Sequence, residues 1–93
     1  MNTIQLHFGK TITRLAGNEY GRQVYEEQVK DIIDFSTETQ IVFPSQIISM
    51  ASSFVQGFFD EIIANIGILG VGKQIVVIAP GINVEEKIIK NLQ

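Results

Sequence analysis

The 93-residue sequence contains no cysteine, no tryptophan, two prolines and one histidine. The absence of cysteine excludes a disulfide framework and any thiolate zinc site. A single histidine, His7, argues against a serine–histidine catalytic site or a multi-histidine metal site. No apolar run reaches the roughly 18 residues that predict a membrane-spanning helix, and the first residues lack the pattern of a signal peptide. We therefore expect a cytoplasmic protein with no membrane segment, no metal and no cofactor.

Composition and charge narrow the class of protein further. The formal net charge is −3 and the pI is about 4.9, which argues against a protein that neutralises many nucleic-acid phosphates. The hydrophobic fraction is 45%, and sixteen residues are isoleucine. These values are typical of a folded chain with a packed core. We expect one domain over residues 1–93, because domains run from roughly 50 to 250 residues.

Apolar patterns predict four strands. Residues 4–8 alternate between apolar and polar side chains, which is typical of a half-buried strand. Residues 11–15 follow a glycine-containing turn, so a hairpin with the first strand is expected. Two continuous apolar runs, 40–43 and 74–79, predict buried strands. The second of them is expected at the centre of the sheet, with both faces covered.

Capping residues and 3.6-residue spacing predict two helices between these strands. The first begins with Asn18 as its N-cap and runs to about Asp34. The second begins with Ser52 or Ser53 as its N-cap and ends at Gly67, a favourable C-cap residue. Residues 45–51 before it are expected to form a loop, and the glycine-rich residues after Gly67 a connection to the last strand.

A third helix is predicted to begin at Gly81 or Asn83. Its apolar stripe consists of Val84, Ile88, Ile89 and Leu92. The resulting order β-β-α-β-α-β-α predicts an α/β fold with a small mixed sheet of about four strands. Right-handed crossovers are expected to place the helices mainly on one face of that sheet.

Two patterns resemble catalytic motifs without their context. Residues 67–73 match G-x-x-x-x-G-K, but Gln74 stands where a P-loop needs serine or threonine, and the motif follows a helix instead of a strand. Three pairs of adjacent carboxylates lie on predicted helix surfaces, where neighbours do not face one another: Glu26–Glu27, Asp60–Glu61 and Glu85–Glu86. His7 has no catalytic partner in the sequence. No catalytic residue is assigned.

The segment 46–53 combines apolar residues with serines at the start of a helix. Helix N-terminal N–H groups stabilise negative charge, so a phosphoserine is favourable there, and exposed apolar residues offer a docking surface. The simpler interpretation is N-capping by a serine, which contributes about 1 kcal/mol. The residues predicted to contact a protein partner are Ile47, Ile48, Ser49, Met50, Ala51, Ser52, Ser53, Phe54 and Gln56.

Residues 48–53 resemble the phosphorylation loop of STAS domains, the fold of anti-sigma factor antagonists. A closer similarity is to the small STAS-like domain family of unknown function. In that family Ser-Ser-Phe opens a helix with a further phenylalanine and an acidic residue, as residues 52–61 do here. Residues 17–22 resemble the start of that family's first helix. The resemblance covers about residues 10–80 of this sequence.

The resemblance implies a mixed sheet with packed helices and a non-enzymatic regulatory module that binds a protein partner. It implies a partner such as a histidine-kinase-like ATPase acting as a serine kinase, or a regulator that this kinase controls. Phosphorylation of Ser52, the first serine of the pair with Ser53, then releases the partner. Ala51 stands where antagonists have aspartate, and Phe54 where they have glycine. Partner binding is therefore the leading expectation, and the serine switch is secondary.

Two other functions stay open from the residues alone. The N-terminus of the helix over 52–66 offers backbone N–H groups to a small ligand or nucleotide. A small isoleucine-rich chain also suits a structural homo-oligomeric subunit, such as a homodimer paired through edge strands or helices.

Overall fold

The computed structural model describes residues 2–82, which form five strands and two helices. In chain order they are β1 (Asn2–Gln5), β2 (Arg14–Leu15), α1 (Asn18–Gln28), β3 (Thr39–Val42), β4 (Ser49–Met50), α2 (Ser52–Gln74) and β5 (Ile75–Ile78). The predicted α/β class is confirmed. The third predicted helix, over residues 83–92, lies outside the described residues.

The strands form two sheets in which every described pair is parallel. One sheet has three strands in the order β1-β3-β5, and the other pairs β2 with β4. In the larger sheet Ile4 lies beside Ile41, and Ile41 lies beside Val77. The strand over 74–79 was expected at the centre of the sheet, and that expectation was wrong. β5 is an outer strand of the part described, and β3 occupies the middle.

The predicted hairpin between the first two strands is also wrong. After β1 the chain turns through Gly9, whose carbonyl accepts a hydrogen bond from Ile12 N–H at 3.0 Å. The Gln46 amide donates to the carbonyl oxygens of Gly9 at 2.7 Å and Ile12 at 2.8 Å. These bonds hold the connection away from β1, and β2 pairs with β4. β1 instead pairs with β3, which places alternate β1 side chains on the core.

The core lies between the larger sheet and the two helices. The predicted alternation over residues 4–8 is confirmed, since Ile4 and Leu6 are buried while Gln5 and His7 are exposed. The core also contains Ile41 and aromatic and apolar side chains from both helices. Its largest fully buried side chains are Phe43, Phe54, Phe58 and Phe59. The two helices therefore share one core with the inward face of the sheet.

The helix α1 is shorter than predicted. It ends at Gln28 instead of Asp34, because the Asp34 carboxylate accepts hydrogen bonds from the N–H and hydroxyl of Ser36 and favours a turn. These bonds also hold the pKa of Asp34 below its ordinary value. The predicted Asn18 cap is wrong as well. Gly17 occupies the N-cap position at φ 98°, and no side chain caps the helix there.

The helix α2 continues beyond the predicted end. Gly67 leaves the helical conformation at φ 73° and ψ 169°, but residues 68–74 are helical again and lead directly into β5. The glycine-rich segment was expected to be a connection, and that expectation was wrong. α2 as a whole is long and apolar enough to cross a membrane. The break at Gly67 leaves an uninterrupted helix of only about 22 Å over 52–66, against about 30 Å of bilayer core.

Candidate functional site

The candidate site is the serine edge, which we define as residues 48–53, comprising β4 and the first residues of α2. Two backbone bonds fix it to the neighbouring strand β2. The N–H of Ile48 donates to the Thr13 carbonyl and the N–H of Ala51 to the Leu15 carbonyl, each at 2.8 Å. The segment was expected to be a loop, but its pairing with β2 makes part of it a short strand.

Burial divides the nine predicted contact residues into two groups. The side chains of Ile47 and Phe54 are fully buried and belong to the core. They are therefore unavailable for direct contact with a partner. Ile48, the neighbour of Ile47, is 51% exposed. The other accessible members are partly or fully exposed: Ser49, Met50, Ala51, Ser52, Ser53 and Gln56. The contact surface is thereby narrowed to these seven residues.

The two serines at the start of α2 have different environments. The expected serine N-cap is wrong, because Ala51 holds that position in an extended conformation and no side chain caps the helix. The Ser53 hydroxyl oxygen instead accepts a hydrogen bond from Gly17 N–H at 3.0 Å. It therefore links the starts of the two helices. Ser52 is exposed and is the first residue of α2.

Two glycines let the helices approach closely beside this edge. A β-carbon on Gly57 would overlap the Asn18 carbonyl oxygen, and one on Gly21 would overlap the Phe54 carbonyl oxygen. The sequence analysis missed this role. Glycine costs roughly 1 kcal/mol relative to alanine inside a helix, and its presence in both helices was the available signal. The contact fixes where α2 begins, and with it the position of the serine edge.

Comparison with protein-family models, with curated proteins and with solved structures finds no match to the chain. The resemblance to STAS-like domains therefore stays a prediction. The site must be judged on its own geometry.

Charged side chains flank a small cleft on the outer side of the helix contact. Arg22 lies 2.9 Å from the Asp60 carboxylate, and Lys30 lies 3.6 Å from Glu61. Both pairs are about half exposed, so each contributes roughly 0–1 kcal/mol. The cleft has a volume of about 30 Å³, which is room for about one water molecule. Small-molecule sites usually measure about 300 Å³ or more, so this cleft is far too small for a nucleotide.

Within residues 2–82 no cluster of three histidine or acidic side chains could hold a metal ion. Tyr25 is the perturbed titratable group beside the cleft. Burial raises its pKa to about 12, and the negative charge of Glu61 and a hydrogen bond with that carboxylate add to the rise. A tyrosine held neutral in this way donates a hydrogen bond and packs in the core, and neither action constitutes a catalytic site.

The raised pKa of Tyr25 predicts a loss of stability in strong alkali. The folded state holds this proton more tightly than the unfolded state, whose tyrosine titrates near 10.0. The free energy of unfolding should therefore fall as the pH rises from about 10 to about 12. Urea unfolding at several pH values measures this, with Tyr25→Phe as the comparison. An equal alkaline loss in the variant would show that Tyr25 does not cause it.

Proposed function

We propose that the protein is a non-enzymatic interaction module that binds a protein partner through the serine edge and the first turns of α2. The observation that carries the proposal is an exposed Ile48 held beside exposed serine hydroxyls on a fixed backbone. The partner would present an apolar side chain to Ile48 and Met50 and polar groups to Ser49 and Ser52. The STAS-like arrangement and a cytoplasmic location are parts of the same proposal.

A fixed backbone supports binding by lowering its entropic cost. The strand bonds of Ile48 and Ala51 and the two bonds of the Gln46 amide order the segment before any partner arrives. A surface that is already ordered does not lose that conformational freedom on association. The half-buried Met50 adds an adaptable apolar side chain next to Ile48. Both features favour specific docking over incidental exposure.

The chemistry of Ser52 supports a switch at the same surface. Ser52 is exposed, begins α2 and has no acidic residue in the first turn with it. A phosphate there would meet the positive end of the helix dipole and add about −1.5 to −2 charges to the contact surface. A partner that packs apolar side chains on Ile48 would then be repelled by a charged, strongly hydrated group. Phosphorylation is thus proposed to release the partner.

The test is partner binding by the intact chain and by two aspartate variants. The partner is first identified by affinity capture and then purified, and its Kd is measured by calorimetry. Ile48→Asp and Ser52→Asp should each weaken binding at least about tenfold, or roughly 1.4 kcal/mol. Their urea midpoints should stay close to that of the unaltered chain, because both side chains are exposed.

The matched control is Thr37→Asp, which places the same charge on an exposed turn before β3, at the opposite end of that strand. Its Kd should not change. If binding survives both edge variants, or if Thr37→Asp weakens binding equally, the serine edge is not the contact surface.

Two alternative functions have narrower support. The N-terminus of α2 lacks a side-chain cap, which favours a small anionic ligand there, but the described cleft beside the helices is too small to enclose a nucleotide. Leu69 is 81% exposed next to Ile68, which favours a homo-oligomeric subunit. The serine edge is preferred because it combines an exposed apolar residue with a second feature, the ordered serine hydroxyls.

A further inference from the structure

The outer face of the three-stranded sheet carries apolar side chains that do not belong to the core. Alternate strand residues point to opposite faces, so Val42, Val76 and Ile78 point away from Ile41 and Val77. All three are half-buried, and within residues 2–82 none of them packs against the core cluster. A parallel sheet normally has both faces covered. The apolar area lies on the β3–β5 side of this face.

The polar side chains of the same face lie towards β1. Thr3 donates a hydrogen bond to the Gln40 amide oxygen at 3.2 Å, and the Gln5 amide donates to the Val42 carbonyl at 3.3 Å. This side of the face is exposed and satisfied by its own hydrogen bonds. The apolar remainder is a strip along β5 about as wide as one helix contact.

The opposite face of the sheet has no room for another helix. Three strands about 4.8 Å apart span about 10 Å between the outer axes, and packed helices lie 8–10 Å apart. Both α1 and α2 contribute to the single core on that face. A further helix after β5 would therefore have only the outer face against which to bury an apolar stripe.

We propose that residues 84–92 form an amphipathic helix that covers Val42, Val76 and Ile78. The turn at residues 79–82 is anchored, because a β-carbon on Gly81 would overlap the Ile47 carbonyl oxygen. The chain thus leaves β5 at the carboxyl edge of the sheet. Nine helical residues span about 13 Å at 1.5 Å each, which matches a four-residue strand at about 3.3 Å each. The apolar stripe of this segment is Val84, Ile88, Ile89 and Leu92.

The chain has no cysteine, so a single introduced thiol reports burial directly. Val76→Cys, and separately Val42→Cys in case one variant fails to fold, is labelled with a charged maleimide in the full chain. Leu69→Cys gives the rate for an exposed thiol. We expect Val76→Cys to react at least about tenfold more slowly than Leu69→Cys, because labelling requires the cover to open.

A second substitution tests whether residues 84–92 provide the cover. Ile88→Asp places a charge on the apolar stripe, and Lys90→Asp places the same side chain on the opposite side of the predicted helix. Ile88→Asp should raise the labelling rate of Val76→Cys at least about tenfold, while Lys90→Asp leaves it unchanged. Equal rates in the two double variants would overturn the proposal. Protection that disappears on dilution would also overturn it, since that result assigns the face to a second copy of the chain.

Discussion

Gly57→Ala should destabilise the protein by roughly 3 kcal/mol, because overpacking costs about 1–3 kcal/mol and here the obstacle is backbone. The added methyl group would overlap the Asn18 carbonyl oxygen and approach its carbonyl carbon to 2.8 Å. Flexible side chains can rotate away from an added methyl group, but a helix backbone must move as a unit. The loss should exceed the roughly 1 kcal/mol that alanine gains over glycine in helix propensity. Urea unfolding followed by circular dichroism measures the difference.

Gly72→Ala is the matched control for this prediction. Gly72 lies in the same helix, and no atom outside the excluded local backbone lies within 4 Å of a β-carbon placed on it. The same substitution should therefore raise stability by about 0.5–1 kcal/mol, because only helix propensity changes. A stabilised Gly57→Ala variant would mean that the helices do not approach as closely as the structure places them.

Phe58→Ala should cost about 3–5 kcal/mol, the usual range for removing a buried phenylalanine. Its ring lies at the centre of the aromatic cluster, with ring centroids 5.1 Å from Phe59, 5.8 Å from Phe43 and 5.8 Å from Phe54. Removing it leaves a cavity bounded by both helices and the sheet. Since domains of this size have only about 5–15 kcal/mol of stability, the variant should unfold at a much lower urea midpoint.

The control for Phe58→Ala is Phe35→Ala, which removes the same atoms from a half-buried position. Its cost should be clearly smaller, because less apolar surface returns to water and solvent fills the space. Near-infrared or ultraviolet probes are unnecessary, since far-ultraviolet circular dichroism follows both transitions. Equal losses in the two variants would show that Phe58 is not the central residue of the core.

Local patterns predicted the parts of the fold that depend on neighbouring residues. The alternation around Ile4 and Leu6 was correct because a strand has a period of two whichever strand it pairs with. The hairpin was wrong because the choice of partner depends on residues far along the chain. β1 pairs with β3 and not with β2, and no local pattern states that preference.

The candidate site shows the same limit at single residues. Ile47 and Ile48 are chemically identical neighbours, yet one is buried and the other is half exposed, because the register of β4 against β2 decides which side faces the core. The hydroxyl of Ser53 was expected to cap α2, but the proximity of Gly17 gives it another donor. Gly57 could not be recognised as a contact residue until its neighbour Asn18 was placed.

The parallel pairing has a consequence for how the chain reaches this structure. Ile4 and Ile41 are 37 residues apart, and Ile41 and Val77 are 36 residues apart, so neither pairing step of the larger sheet joins strands that are consecutive in sequence. Each step requires closure of a long loop, and proteins rich in such distant contacts fold slowly. During synthesis the middle strand gains its second neighbour only after nearly the whole described chain has emerged. Until then the inner edge of β3 is exposed, which makes the incomplete chain the state most prone to aggregation.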